Sequence, residues 1–110
     1  MTRKEALADL IAKVEAGEER YPFSWANEGY NTGDLFDSRD NVNRAYNGSL
    51  DAAKALHEAV LPGFGWTAGG GAVRVYKLNG LPCSEHVSAT PTPARAWLIA
   101  ILRALHAQEP

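Results

Sequence analysis

Apolar side chains recur at helical spacing in separate blocks of this chain, with a block at strand spacing between the last two. Leu7, Leu10, Ile11 and Val14 fall at i, i+3, i+4 and i+7, which predicts a helix over 2–16 with one buried face. Thr2 and Glu5 stand at capping-box spacing, and Gly17 offers a stop. Ala53, Leu56, His57 and Val60 form a second stripe and predict a helix over 49–61. Ser49 is its N-cap, Asp51 suits the positive end of its dipole, and Pro62-Gly63 ends it. A third helix is predicted over 93–107, introduced by the stiff run Thr90-Pro91-Thr92-Pro93, with Thr92 as cap and Pro93 in the first helical position. This last helix is apolar almost all round: Ala94, Trp97, Leu98, Ile101 and Leu105 on one side, Ala96, Ile99 and Ala100 elsewhere. A helix of that kind is covered on more than one side. Either it lies between layers, or it turns part of its surface to a second subunit, and the second option predicts a homodimer.

Residues 64–67 and 72–78 read as strands joined through Ala68-Gly69-Gly70-Gly71 in a hairpin. Val73 and Val75 share one face, Arg74 and Tyr76 the other. Asn79-Gly80 is a further turn signal, and a third short strand is expected around 83–87. The expected fold is a single α+β domain over 1–110, with helices packed on a small antiparallel sheet in a sandwich-like α-β-α arrangement.

The segment from about 20 to 47 has a different character. Six of the ten aromatic residues fall there (Tyr21, Phe23, Trp25, Tyr30, Phe36 and Tyr46), mixed with Asn27, Asn31, Asn41, Asn43, Gly29 and Gly33. A short helix over 39–46 is predicted, capped by Asp37 or Ser38, with Val42, Ala45 and Tyr46 turned inward. The remainder reads as an ordered loop, because disordered segments are poor in aromatics. Its rings, with Arg39 and Arg44, have the composition of a binding surface. The competing reading is that Tyr21, Phe23 and Phe36 seal the core as the loop crosses the sheet, and both readings stay open.

Composition narrows the function classes. A chain of 110 residues with 45% hydrophobic content supports one core and not two. The single cysteine, Cys83, excludes an internal disulfide, which suits a reducing cytoplasm. The opening residues lead into an amphipathic helix and not into an apolar signal core, and no run reaches the roughly 18 apolar residues of a membrane span. A net charge of −2 with scattered Lys and Arg argues against general nucleic-acid binding, and equally against mimicry of a phosphate backbone.

Three blocks, Ser49-Leu50-Asp51-Ala52-Ala53, Phe64-Gly65-Trp66 and Pro93-Ala94-Arg95-Ala96-Trp97-Leu98, together resemble a group of small phage and prophage proteins, the phage ABA sandwich domain. The resemblance spans roughly 46–107, and the segment 21–46 has no counterpart in it. It implies helices around a small antiparallel sheet and a phage-derived accessory role. It brings no catalytic residues.

Candidate chemistry in the residues themselves is sparse. His57 and Glu58 are helical neighbours that point about 100° apart, and no His-x3-His or Cys-x2-Cys spacing exists, so neither a metal nor a cofactor is expected. His57 reads as a stripe-filling residue, and His106 carries no signal of its own. Cys83 and His86, with Glu85 to orient them, are the only candidates for a nucleophilic pair, which makes a hydrolase the third reading. Gly69-Gly70-Gly71 leads into a strand, not a helix, and lacks the Lys-Ser/Thr of a phosphate loop. The carboxylates Glu18-Glu19 and Asp34, Asp37 and Asp40 have turn and cap spacing.

The leading expectation is therefore a non-enzymatic phage or prophage accessory protein in the cytoplasm of a bacterial host. It binds a host protein, with components of bacterial defence systems among the candidate targets. The alternative is sequestration of a nucleotide-like ligand, with Trp25, Tyr30 or Trp66 stacking a base and Arg39, Arg44 or Arg74 meeting phosphates. Candidate contact residues are Trp25, Tyr30, Phe36, Arg39, Arg44, Trp66 and Arg74, with Trp25 and Tyr30 as the expected anchors.

Overall fold

The computed structural model of the chain describes residues 3–16, 39–69, 72–77, 85–88 and 92–108, with side chains described throughout except at 3, 39, 77 and 85–88. In chain order the elements are α1 (Arg3–Ala16), α2 (Arg39–Tyr46), α3 (Leu50–Val60), β1 (Phe64–Gly69), β2 (Ala72–Lys77), β3 (Glu85–Ser88) and α4 (Pro93–Gln108). The fold is α+β, with helices packed on a small antiparallel sheet of strand order β1-β2-β3.

Sequence spacing and observed burial agree element by element. Leu7, Leu10 and Val14 of α1 are buried and Ile11 packs at their margin. Val42, Ala45 and Tyr46 of α2 are buried, as are Ala53, Leu56, His57 and Val60 of α3. The caps proposed for 37 and 38 lie outside the described residues.

Two turns set the relation of α2, α3 and β1. Gly48, at φ +105°, ends α2 in a Schellman arrangement: its N–H donates to the Ala45 carbonyl and the Ser49 N–H to the Arg44 carbonyl. Ser49 then caps α3, its hydroxyl accepting from the Ala52 N–H at 3.1 Å. At the other end of α3, Leu61-Pro62-Gly63-Phe64 closes with the Phe64 N–H donating to the Leu61 carbonyl, and Gly63 holds φ +85°. Proline followed by a positive-φ glycine is the signature of a type II turn. It reverses the chain directly from helix into β1.

β1 pairs with β2 from Phe64↔Lys77 to Gly69↔Ala72. Ala68 and Gly69 therefore continue the ladder, and the connection shrinks from the four-residue loop the sequence suggests to residues 70–71. β3 pairs with β2 over 85–88, two residues further along than expected at its start. Val73 and Val75 are buried on one face of β2 while Arg74 is exposed on the other.

α4 is the centre of the molecule. It packs against α1, α2 and α3 and against β2 and β3, and ten of its side chains, from Ala94 to Leu105, are buried within this one chain. Of the two explanations for its all-round apolar character, the structure supports burial between layers. The apolar surplus that motivated a homodimer is covered by the chain's own elements.

Candidate functional site

Most large apolar side chains are buried, so those left outside are informative. Among the described residues two are exposed, Leu50 at 51% and Trp66 at 40%, and both line the same groove of about 280 Å³. One wall is the first turns of α3, with Leu50, Asp51 and Lys54. The other is the inner face of the hairpin, with Trp66, Ala68 and Val73. The start of α4, at Pro93 and Trp97, closes the end.

The geometry follows from register. Trp66 pairs with Val75 and Ala68 with Val73, so these four side chains share the face turned toward α4. Trp66 lies near the rim of that face, and its ring rests on Trp97, centroid to centroid 4.2 Å with a tilt of 36°. Trp97 is held in turn from behind. Its indole Nε1–H donates to His57 Nδ1 at 3.2 Å. An indole nitrogen can only donate, so His57 Nδ1 accepts and its other nitrogen carries the hydrogen. That Nε2–H donates to the Phe64 carbonyl at 3.0 Å. The relay Trp97–His57–Phe64 joins α4, α3 and β1 behind the groove, with His57 3% and Trp97 4% exposed.

This arrangement has a chemical consequence. The one polar atom of Trp97 is spent on His57, so the groove receives only its ring face. Leu50, Trp66, Ala68, Val73 and Pro93 supply apolar surface as well, and among the described residues charge enters only at Asp51 and Lys54. Lys54 is 4.0 Å from Glu58 on the next turn of the exposed face. The groove is suited to an inserted apolar side chain and poorly suited to a phosphate-bearing ligand.

A second fixed point ties the start of α4 to the end of α2. Arg95 donates from Nε and Nη2 to the Tyr46 carbonyl at 3.2 and 2.9 Å, and its guanidinium lies 4.1 Å from the centre of the Tyr46 ring. It satisfies one of the carbonyls that the end of α2 leaves without a helical partner. On the outer surface Arg103 pairs with Glu15 at 2.6 Å, linking α4 to α1.

Of the residues expected to make contacts, Trp66 is in the groove. Arg74 is exposed on the opposite face of the sheet, paired in register with Thr67 and Val87. Arg44 is exposed on α2 and is not among the groove residues. The stacking of a base on Trp66 with phosphates on Arg74 is therefore not available from one side of the sheet. Arg39 opens α2, with its side chain outside the described set, and Trp25, Tyr30 and Phe36 lie outside the described residues altogether. So does Cys83. His86 pairs in register with Val75, and His106 is half-buried near the end of α4. Among the described residues no three His, Cys, Asp or Glu side chains come together, and no helix is long and apolar enough to cross a membrane.

Sequence reading missed Leu50 and Trp97 as site residues. Leu50 follows the N-cap and is off the Ala53–Leu56–Val60 stripe, which was an available signal for an outward apolar side chain. Trp97 carried no such signal, because its spacing is that of a core residue. Comparison with protein-family models, with curated proteins and with solved structures returns no match for this chain.

Proposed function

We propose that this protein is a non-enzymatic phage or prophage accessory protein that acts in the bacterial cytoplasm by binding a host protein through the Trp66–Leu50 groove. Components of bacterial defence systems are the class of target to try first. The observation that carries the reading is the convergence of Leu50 and Trp66, the large apolar side chains left exposed among the described residues, on one groove. Single exposed apolar residues are ordinary, whereas two on one concave site have the character of an interface core. The nucleotide-sequestering alternative has stacking rings but, among the described groove residues, only Lys54 as a cation, with Asp51 beside it.

The test is capture of host proteins from bacterial lysate on the immobilised chain, followed by rebinding of each captured protein in purified form. A genuine target binds the parent chain and loses about tenfold or more in affinity to Leu50→Asp and Trp66→Ala, since buried anchors cost about 2 kcal/mol or more when truncated. A target that binds both variants as well as the parent would remove the groove from consideration. Stabilisation by several degrees in a thermal-shift screen of nucleotides would favour sequestration instead.

A further inference from the structure

β1 is an edge strand with unusual features for an edge. Its sequence, Phe64-Gly65-Trp66-Thr67-Ala68-Gly69, has no charge and no proline, the two devices that commonly keep edges from pairing. Residues 66–69 are exposed, and the strand's partner among the described residues is β2 alone.

Register fixes the direction of its main-chain groups. A hairpin with two residues between Gly69 and Ala72 closes on a hydrogen-bonded pair. Counting back by twos, Gly65, Thr67 and Gly69 address β2, and Phe64, Trp66 and Ala68 address the free edge. Phe64 bears this out independently, since its N–H goes to the Leu61 carbonyl and its carbonyl to His57, neither of them in β2. The N–H and carbonyl groups of Trp66 and Ala68 remain directed at the open edge, while the same two side chains line the groove. One strand thus offers a main-chain ladder and, under it, an apolar slot.

Charge adds a further constraint. Asp51 at the groove is exposed and makes no ion pair among the described residues, whereas Lys54 has Glu58 near it. Asp51 is therefore the groove carboxylate left to meet a basic side chain of a partner.

We infer that the free edge of β1 takes an extended peptide strand of the partner protein, whose apolar side chain enters the groove beside Trp66 and whose basic side chain, two positions along on the same face, meets Asp51. Strand addition supplies affinity through main-chain hydrogen bonds and specificity through alternate side chains. This inference rests on the reading of the groove as the protein-binding face.

The probe is a phage-displayed library of linear peptides of about eight residues, near the usual strand length, selected on the full chain and counter-selected on Trp66→Ala. Enriched peptides should carry Leu, Ile, Met or Phe with Lys or Arg two positions away, and the basic preference should disappear on Asp51→Asn. Methylating the alternate main-chain amides of an enriched peptide should weaken it about tenfold, the upper range for losing such hydrogen bonds. Ala68→Pro removes an N–H that faces the open edge, where proline is tolerated, and should weaken the peptide by a similar factor. Ala68→Val, which crowds the groove comparably but keeps the N–H, controls for the added bulk and should bind the peptide about tenfold more tightly than Ala68→Pro.

If methylated peptides bind like their parents, or Ala68→Pro and Ala68→Val behave alike, strand addition is overturned while the groove reading stands. Absence of any peptide enriched over Trp66→Ala also overturns it, leaving the groove reading to the host-protein capture. Self-association of the chain that is abolished by Ala68→Pro would assign the edge to a second copy and overturn a heterologous strand. Should Ala68→Pro fail to fold, the methylated peptides decide the matter alone.

Discussion

Replacing Trp97 by phenylalanine tests the relay that holds the groove together. The substitution removes the indole N–H from a contact in which both side chains are almost wholly buried. His57 Nδ1 is then an acceptor without a donor, which costs about 1–3 kcal/mol. Loss of the fused ring leaves a void worth about 1 kcal/mol. The tilted stack on Trp66 at 4.2 Å is weakened as well, by about 0.5 kcal/mol. We expect a total of about 3.5 kcal/mol and, at about 4 °C per kcal/mol for a chain of this size, a Tm lower by about 14 °C. Urea denaturation of the parent, Trp97→Phe, His57→Leu and the double variant completes a thermodynamic cycle. The double variant has no orphaned acceptor at position 57 and no unpaired indole at 97, so it should be more stable than additivity predicts by about 1–2 kcal/mol. Slow exchange of the Trp97 indole hydrogen and a ¹⁵N pattern with hydrogen on His57 Nε2 are the corresponding spectroscopic signs. Additivity within about 0.3 kcal/mol would falsify the claim that the two side chains act as a unit.

Other outcomes follow from single contacts. Arg95→Lys keeps the charge but cannot reproduce the two-nitrogen grip on the Tyr46 carbonyl or the stacking on its ring, and should cost about 1–2 kcal/mol by urea denaturation. Gly48→Ala should cost about 1–2 kcal/mol through its positive φ alone, because the added Cβ meets only Thr92 Cγ2 at an ordinary 3.7 Å. Ser49→Ala should cost about 1 kcal/mol, and Ser49→Asp should restore most of it by capping the same N–H. Glu15→Gln should change stability by less than about 1 kcal/mol despite the short contact with Arg103, since both side chains are about two-fifths exposed; a larger loss would mean that α1 docks on α4 mainly through this pair.

Local chemistry was legible wherever it acts over one turn or one register step. Helical spacing placed Leu7, Leu10 and Val14, and Ala53, Leu56 and Val60, on buried faces, because a 3.6-residue period leaves little choice once one side must leave water. Ser49, Pro62-Gly63 and Thr92-Pro93 marked element ends, because caps and turns depend on a side chain or φ angle a few residues away. The antiparallel hairpin followed from strand alternation around a glycine run, although its loop length did not, since Ala68 and Gly69 are acceptable in either strand or turn.

Tertiary structure alone decided what those elements do together. The all-apolar surface of 93–107 is compatible with a buried central helix and with a subunit interface, and only the packing of α1–α3 and the sheet around it selects the first. Trp97 and His57 are 40 residues apart and each has the spacing of a core residue. Their hydrogen bond, and the Trp66–Trp97 stack in front of it, exist because the type II turn at Pro62-Gly63 folds β1 back beside α3. Arg74 and Trp66 looked equally available to one ligand until the register placed them on opposite faces of the sheet. Sequence pattern determines which face of each element turns inward. Which exposed residues become neighbours depends on how elements distant in the chain dock, and that is set by the shared burial of all of them at once.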